Sequence, residues 1–292
     1  MIVITGATGF IGREVVKEAL AEGHRVRAIV RDLREAKRFD TTENVELFHG
    51  NVLSAESLAG AFDRAKAVIH LVGIINEWKE NTFQRAHVEA TRNVVDGAKK
   101  AGVKRYIHMS ALGAREGAAS RYHQTKWAAE EYVRKSGLAW TIFRPSLVYG
   151  EGDRSINVLR QMVRTAPFIP VLGKGEAKIQ PVSVRNVALA FVRAIKNDDA
   201  IQKIYDLVGP EAFTWNELYD KLMTAAGVKK RKTHMPVPLM KLPAAVWGRM
   251  LKYPPFNTEQ LIMSQEDNAG DPLPAAQDFA LTEESFDQAV RR

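Results

Sequence analysis

The chain of 292 residues contains no cysteine. A disulfide framework and any thiolate metal site are thereby excluded, and a reducing compartment suits such a chain. Histidine is sparse and scattered, at His24, His49, His70, His87, His108, His123 and His234. None of these forms an HExxH or similar ligand spacing, so no structural or catalytic metal is expected. No stretch approaches the roughly 18 consecutive apolar residues of a membrane span. The opening run Met1-Ile2-Val3-Ile4-Thr5 stops at Gly6 and has no charged leader. It is expected to be a buried first strand rather than a signal peptide, in a soluble, cytoplasmic protein. Internal repeats and low-complexity tracts are also missing.

What is present is a globular share of hydrophobic residues, 46%, and a net charge of +8. The basic residues look spread along the chain, and no RNA-binding or helix-turn-helix signature accompanies them, so nucleic acid is not expected. Acidic small ligands, an acidic partner or a membrane surface fit the charge equally well.

Apolar runs of strand length alternate with amphipathic helix-length segments through the first half. Strands are expected over 1–5, 25–30, 45–49, 67–72, 105–110 and 139–143. Their cores, such as Val26-Arg27-Ala28-Ile29-Val30, lack simple polar alternation. Strands buried on both faces have that character, which implies a parallel sheet covered by helices on each side. Helical spacing covers 11–22, 57–62, 83–101 and 119–136, and Gly23, Gly102 and Gly137 follow three of these segments where a left-handed cap is needed. The rhythm predicts an α/β fold, a doubly wound parallel sheet of the Rossmann type. It breaks after Gly150. A strand over 180–184, a helix over 186–195 and a strand over 204–208 follow, and the chain from 214 onward is expected to be mostly helical. We therefore expect a dinucleotide-binding domain over 1–152, with 180–210 returning to its sheet, and a smaller, mostly helical cap within 153–292.

The strongest motif is Thr5-Gly6-Ala7-Thr8-Gly9-Phe10-Ile11-Gly12, which follows a buried strand and opens a helix. In that context Gly6 permits a tight turn, Gly9 lets backbone approach a pyrophosphate, and Gly12 lets helix and strand pack closely. The helix start offers free N–H groups and a positive dipole end. Gly6, Thr8, Gly9, Phe10, Ile11 and Gly12 are thus candidate cofactor contacts. At the end of the second strand Arg31 offers a forked cation suited to a ribose 2′-phosphate, favouring NADP(H) over NAD(H). Asp32 is the competing signal, since an acid in its place would accept from the ribose 2′-hydroxyl.

These residues resemble the short-chain dehydrogenase/reductase superfamily, in its extended and atypical branch. The resemblance continues through Gly50-Asn51-Val52, Leu71-Val72-Gly73, Arg144-Pro145, Val148-Tyr149-Gly150 and Gln180-Pro181-Val182-Ser183-Val184. It implies that Asn51 and Val52 lie beside the adenine, that Leu71, Val72 and Gly73 pass under the adenosine ribose, and that Pro145 lies beside the nicotinamide. The runs 102–114 and 136–146 look like proteins related to the nucleotide-binding accessory subunit of respiratory complex I. The likeness covers about the first 210 residues well and the remainder more loosely.

Tyr122-His123-Gln124-Thr125-Lys126 has the YxxxK form of that superfamily, with phenol and ammonium on one helix face. Free tyrosine has a pKa of about 10, and a nearby lysine is expected to lower it. The resemblance implies that Lys126 also holds the nicotinamide ribose, while Tyr122 exchanges a proton with a substrate oxygen during hydride transfer. Members of the branch carry a Ser or Thr just after the fifth strand. Ala111 falls there, with Ser110 one residue earlier as the candidate substitute. Three readings stay open: an oxidoreductase or epimerase-like enzyme, a cofactor-loaded structural or assembly subunit without turnover, and a redox-sensing regulator that binds NADP(H) and a partner protein, which no sequence feature singles out.

Lys174 and Lys178 flank a glycine turn and could face a substrate phosphate or simply stay in water. Lys229-Lys230-Arg231-Lys232 precedes an apolar run over 235–251. That region could meet a membrane surface or a protein complex, but the prolines at 236, 238 and 243 argue for a folded cap rather than one long interfacial helix.

Overall fold

The computed structural model describes residues 1–34, 44–252, 254–282 and 285–291. The strands are β1 (Ile2–Thr5), β2 (Val26–Val30), β3 (Val45–His49), β4 (Ala67–His70), β5 (Arg105–Met109), β6 (Ala139–Pro145), β7 (Val148–Tyr149), β8 (Ile169–Leu172), β9 (Lys178–Ile179), β10 (Val182–Ser183), β11 (Lys203–Leu207), β12 (Phe213–Thr214) and β13 (Lys232–Met235). The helices are α1 (Phe10–Ala21), α2 (Ala90–Lys100), α3 (Arg121–Arg134), α4 (Ile156–Thr165), α5 (Val184–Arg193), α6 (Trp215–Ala225), α7 (Val237–Met250), α8 (Thr258–Met263), α9 (Leu273–Phe279) and α10 (Phe286–Arg291).

Seven strands form one sheet in the order β11-β6-β5-β4-β1-β2-β3. Every neighbouring pair in it is parallel. β1, β2 and β4 are buried at every position, which explains why their sequences show no polar alternation. One face packs on α1, α5 and α9 through a core that includes Val15, Val16, Ala190, Phe191 and Phe279. The other packs on α2 and α3 through Phe62, Val94, Val95, Tyr106 and Val133. The doubly wound α/β architecture expected from the sequence is the one found.

The differences are local. The segment 57–62 forms only a 3-10 turn, Glu56–Leu58, because Ala59 is extended and Gly60 takes a left-handed φ of 76°. The helix expected over 83–101 begins as a π-helical turn, Gln84–Glu89, before it becomes α2. β10 is two residues long and pairs with β7 outside the main sheet. β13 pairs in parallel with β8, a long-range match with no local signal. Pro243 lies inside α7 and does not end it. Pro238 sits in the first turn, where a missing N–H costs nothing, and Pro243 leaves one carbonyl unpaired on a short helix that is exposed along one side.

One buried ion pair fixes α3 to the sheet. Glu130 is 0% exposed, and Arg144 on β6 grips it with Nε to Oε1 at 2.8 Å and Nη2 to Oε2 at 2.6 Å. Arg134 adds a looser contact at 3.5 Å. Removing one partner of such a pair is costly because the other charge stays buried. Arg144→Met should therefore lower unfolding stability by about 3 kcal/mol, and a further Glu130→Leu should restore most of that loss. Urea denaturation of the single and double variants checks both expectations.

Candidate functional site

Because the sheet is parallel, the loops after β1 through β6 all open on its carboxyl edge. The strand order reverses between β1 and β4, and ligands of this architecture bind in the crevice at such a point. There the two loops touch. A Cβ on Gly6, whose φ is 73°, would lie 3.2 Å from the Leu71 carbonyl carbon and 3.3 Å from the Val72 nitrogen. A Cβ on Gly12 would lie 2.1 Å from the Gly6 oxygen, so the first turn of α1 is pressed directly on the loop. Gly9 caps α1 through backbone alone, and no acidic residue occupies the first turn. The leading amides are left for an anion. Thr8, Phe10 and Ile11 are half-buried around this loop, and Gly9 is exposed.

Arg31 is exposed and directly follows β2, as the sequence suggests, and its carbonyl accepts from His49 Nε2 at 3.2 Å. Asp32 turns away to Arg34: Oδ1 accepts from the Arg34 amide at 2.8 Å and Oδ2 from its Nη2 at 2.9 Å. Those bonds hold the Asp32 carboxyl below the usual range. Asn51, after β3, spends its Oδ1 on the Leu53 amide, and Val52 beside it is buried. Leu71 is buried, Val72 half-buried and Gly73 exposed. Pro145 is buried at the end of β6, its carbonyl accepting from the Leu112 amide at 3.0 Å.

α3 brings the remaining candidates to the same edge. Ser120 caps it, its Oγ accepting from the His123 amide at 3.1 Å. Further along α3, Lys126 is 2% exposed and donates from Nζ to the Met109 carbonyl at 3.1 Å. A Cβ on Gly73 would lie 2.9 Å from that Nζ, so the ammonium sits against the loop after β4. Burial lowers the Lys126 pKa to about 8, opposed by Glu130. The Tyr122 ring stands edge-on to Phe83 and His87 at 5.8 and 5.3 Å. Burial pushes the Tyr122 pKa up to about 12. The expected lowering by Lys126 is not found in the protein alone: desolvation of the phenol is the cause of its shift.

Ser110 is 2% exposed and its Oγ has no hydrogen-bond partner. It shares a face of β5 with Tyr106 and His108, whose polar atoms are likewise buried and unpartnered. Ala111, in the position where the superfamily places a hydroxyl, is buried at 6%.

Sequence reasoning missed His87. It lies in the π-helical turn, with Nδ1 2.9 Å from Thr125 Oγ1 and Nε2 3.1 Å from the Ile74 carbonyl. Burial, reinforced by Lys126, lowers its pKa to about 2. Only the fold brings residues 87 and 125 together, and no spacing announces it. The same holds for the C-terminal segment. The Glu259 carboxylate accepts from the Tyr122 amide at 3.3 Å, and Asn257 Nδ2 donates to the Ile75 carbonyl at 2.9 Å. Asn268 Oδ1 accepts from Ser146 Oγ at 2.7 Å, and its Nδ2 donates to the Leu112 carbonyl at 3.2 Å. Lys174 lines a separate cleft of about 770 Å³ with His234, Pro236 and Gln265, which includes none of the glycine-loop residues. Lys178 is exposed on β9 and is not among the residues lining it.

A crevice at the β1/β4 reversal, a glycine-lined helix start and a buried lysine beside the loop define a dinucleotide-binding protein of the Rossmann type. The chain belongs to the NAD(P)H-binding family, whose profile matches residues 6–198. It is 32% identical over 259 residues to NADH dehydrogenase (ubiquinone) 1 alpha subcomplex subunit 9, mitochondrial, of Arabidopsis thaliana, covering 87% of this chain and 64% of that protein. It is 30% identical over 239 residues to the ceramide reductase of Caulobacter vibrioides, covering 82% and 74%. UDP-glucose 4-epimerase of Thermotoga maritima has the same fold, with a TM-score of 0.77 at 19% identity over 99% of this chain and 96% of that one.

Four buried histidines have pKa values lowered chiefly by desolvation: His70 to about 3, His87 to about 2, His123 to about 4, and His108 well below its ordinary value. Unfolded, each takes up a proton near 6.5. The unfolded state therefore binds more protons as pH falls through that value, and stability should drop progressively between about pH 6.5 and pH 4. Lys126 acts in another window, with stability rising between about pH 8 and 10.5 as the folded state sheds its proton first. Urea unfolding across pH tests this. His70→Gln should lessen the acid slope by about one proton, and Lys126→Met should flatten the alkaline rise.

Proposed function

We propose that the chain is an NADP(H)-dependent reductase or epimerase-like enzyme in which Tyr122 supplies a proton and Lys126 holds the nicotinamide ribose. The carrying observation is the Lys126 ammonium, buried at the carboxyl edge, with the Met109 carbonyl as its described hydrogen-bond acceptor. An ammonium has three donors, so two remain for ribose hydroxyls beside Gly73. The glycine loop fits a pyrophosphate because a Cβ at Gly12 finds no room, and the α1 amides have no side-chain competitor. When bound, the nicotinamide supplies or accepts the hydride.

The rest falls to the protein. With its pKa pushed to about 12, Tyr122 is protonated at neutral pH and suited to donate to an oxygen that gains charge. Among small carbonyl, isoprenoid-like and sugar-nucleotide substrates, the ceramide reductase relative supports a lipid-like compound. Preference for NADP(H) is supported by the exposure of Arg31 among the described residues and by the engagement of Asp32 with Arg34. An NADPH titration should raise the melting temperature more than NADH does, and Arg31→Ala should remove the difference. Equal shifts from both nucleotides with the wild-type chain would overturn the preference. Tyr122→Phe should cut NADPH-dependent turnover by about 10²–10⁴-fold while leaving the cofactor-induced shift in place.

A second reading, a cofactor-holding subunit without turnover, is favoured by Ala111 and by the complex I relative. It expects NADPH to stay bound through purification and a screen of carbonyl substrates to produce no NADPH oxidation. Substrate-dependent oxidation lost in Tyr122→Phe would reject it.

A further inference from the structure

Ten large hydrophobic side chains are exposed among the described residues, and five of them, Leu239, Leu242, Val246, Met250 and Leu251, fall within or directly after α7. Leu239, Leu242 and Met250 are 69%, 73% and 70% exposed. The spacing 239, 242, 246, 250 sets four of them in one stripe along the helix. The opposite side of α7 is already engaged: Met240 and Ala244 pack on Leu261, and the Trp247 ring stands edge-on to Phe256 at 5.3 Å. The stripe therefore faces away from the protein rather than into its core.

Charge singles out the same region. Eight of the 42 Lys and Arg residues lie in 221–258 and none of the 34 Asp and Glu do. The whole net charge of +8 resides in that stretch, and the remainder of the chain is balanced. The basic residues are thus less evenly spread than the sequence first suggests. Lys241 and Arg249 stand exposed on α7 itself, and Lys229 and Arg231 stand exposed ahead of it, whereas Lys221 and Lys232 pair with Asp287 and Asp220 and Lys230 donates to the Ala166 carbonyl.

We infer that α7 docks this protein on an anionic lipid surface, its leucine stripe entering the headgroup boundary and the surrounding cations meeting lipid phosphate. An amphipathic helix with that division of faces lies in the interface, and anionic headgroups attract each nearby Lys or Arg. α7 has 14 residues, about 21 Å, against roughly 30 Å of hydrocarbon, so it lies on a bilayer and does not cross it. No helix among the described residues is long and apolar enough to cross one. A second copy of the chain fits the stripe poorly. It would set Lys241 and Arg249 of one copy against the same cations of the other, and like charges oppose such an association. The inference does not depend on the proposed reaction. It does place the docking helix beside the site, because the turn joining α7 to α8 holds the loop after β4 through Asn257 and Asn76.

Co-sedimentation of the full chain with phosphatidylcholine vesicles, with and without phosphatidylglycerol, tests this. Binding is expected to the phosphatidylglycerol vesicles and to weaken in high salt. Leu239→Gln/Leu242→Gln/Met250→Gln should abolish it, and Lys241→Gln/Arg249→Gln should weaken it by about tenfold. The altered side chains are exposed, so an unchanged melting temperature and an unchanged NADPH-induced shift confirm that both variants are folded with their cofactor site intact. Wild-type protein left in the supernatant with phosphatidylglycerol vesicles overturns the proposal. So does a leucine-stripe variant that still sediments, or a wild-type dimer in solution that the leucine-stripe changes break apart.

Discussion

Two opposite charges lie buried one turn apart on the same face of α3, and the candidate site depends on how each is satisfied. Glu130 is closed off by a two-pronged guanidinium from β6. Lys126 has the Met109 carbonyl and the loop after β4. A carboxylate and an ammonium out of water tolerate little displacement, since any shift trades a short hydrogen bond for an uncompensated charge. The helix that carries Tyr122 is therefore located by charge satisfaction as well as by apolar packing. Its rotation about its own axis is set by Glu130, and its approach to the carboxyl edge by Lys126.

The same face of the sheet holds a polar layer unusual for a parallel core. His70 bridges Thr5 and Thr91, with Nδ1 2.6 Å from one hydroxyl and Nε2 3.2 Å from the other. Thr91 donates its own proton to the His87 carbonyl, so it must accept from His70. His70 is thereby fixed as the Nε2–H tautomer, with Nδ1 accepting a hydrogen bond from the Thr5 hydroxyl. His108 stacks on His70 at 5.6 Å. Near an ammonium none of these rings gains by becoming charged. Burial chiefly keeps the histidines neutral and Lys126 reinforces it, which leaves the ammonium as the cation of the layer.

How much of this was legible beforehand follows from what is local in sequence. The runs of β1, β2 and β4 and the glycine loop declare themselves within a dozen residues, because the pattern is imposed by burial on both faces and by a close backbone approach. The pairing of β13 with β8, the meeting of His87 with Thr125 and the grip of Arg144 on Glu130 join distant segments and leave no periodic trace. The phenol of Tyr122 shows the limit most clearly. Its neighbour in sequence argued for a lowered pKa, while its neighbours in space, Phe83 and His87, remove the water that a phenolate needs. The prolines of α7 misled in the opposite way, because a helix pinned along one side tolerates an unpaired carbonyl on the other.

Asn257, Glu259 and Asn268 give the C-terminal segment a role that none of its own chemistry would suggest. Together they tie down the loop after β4, the first turn of α3 and the loops after β5 and β6. These are four separate pieces of the crevice, and one late stretch of chain laces them like a drawstring. Fraying of that stretch would slacken all four at once, so the order of residues far along the chain from the glycine loop sets how firmly the crevice keeps its shape.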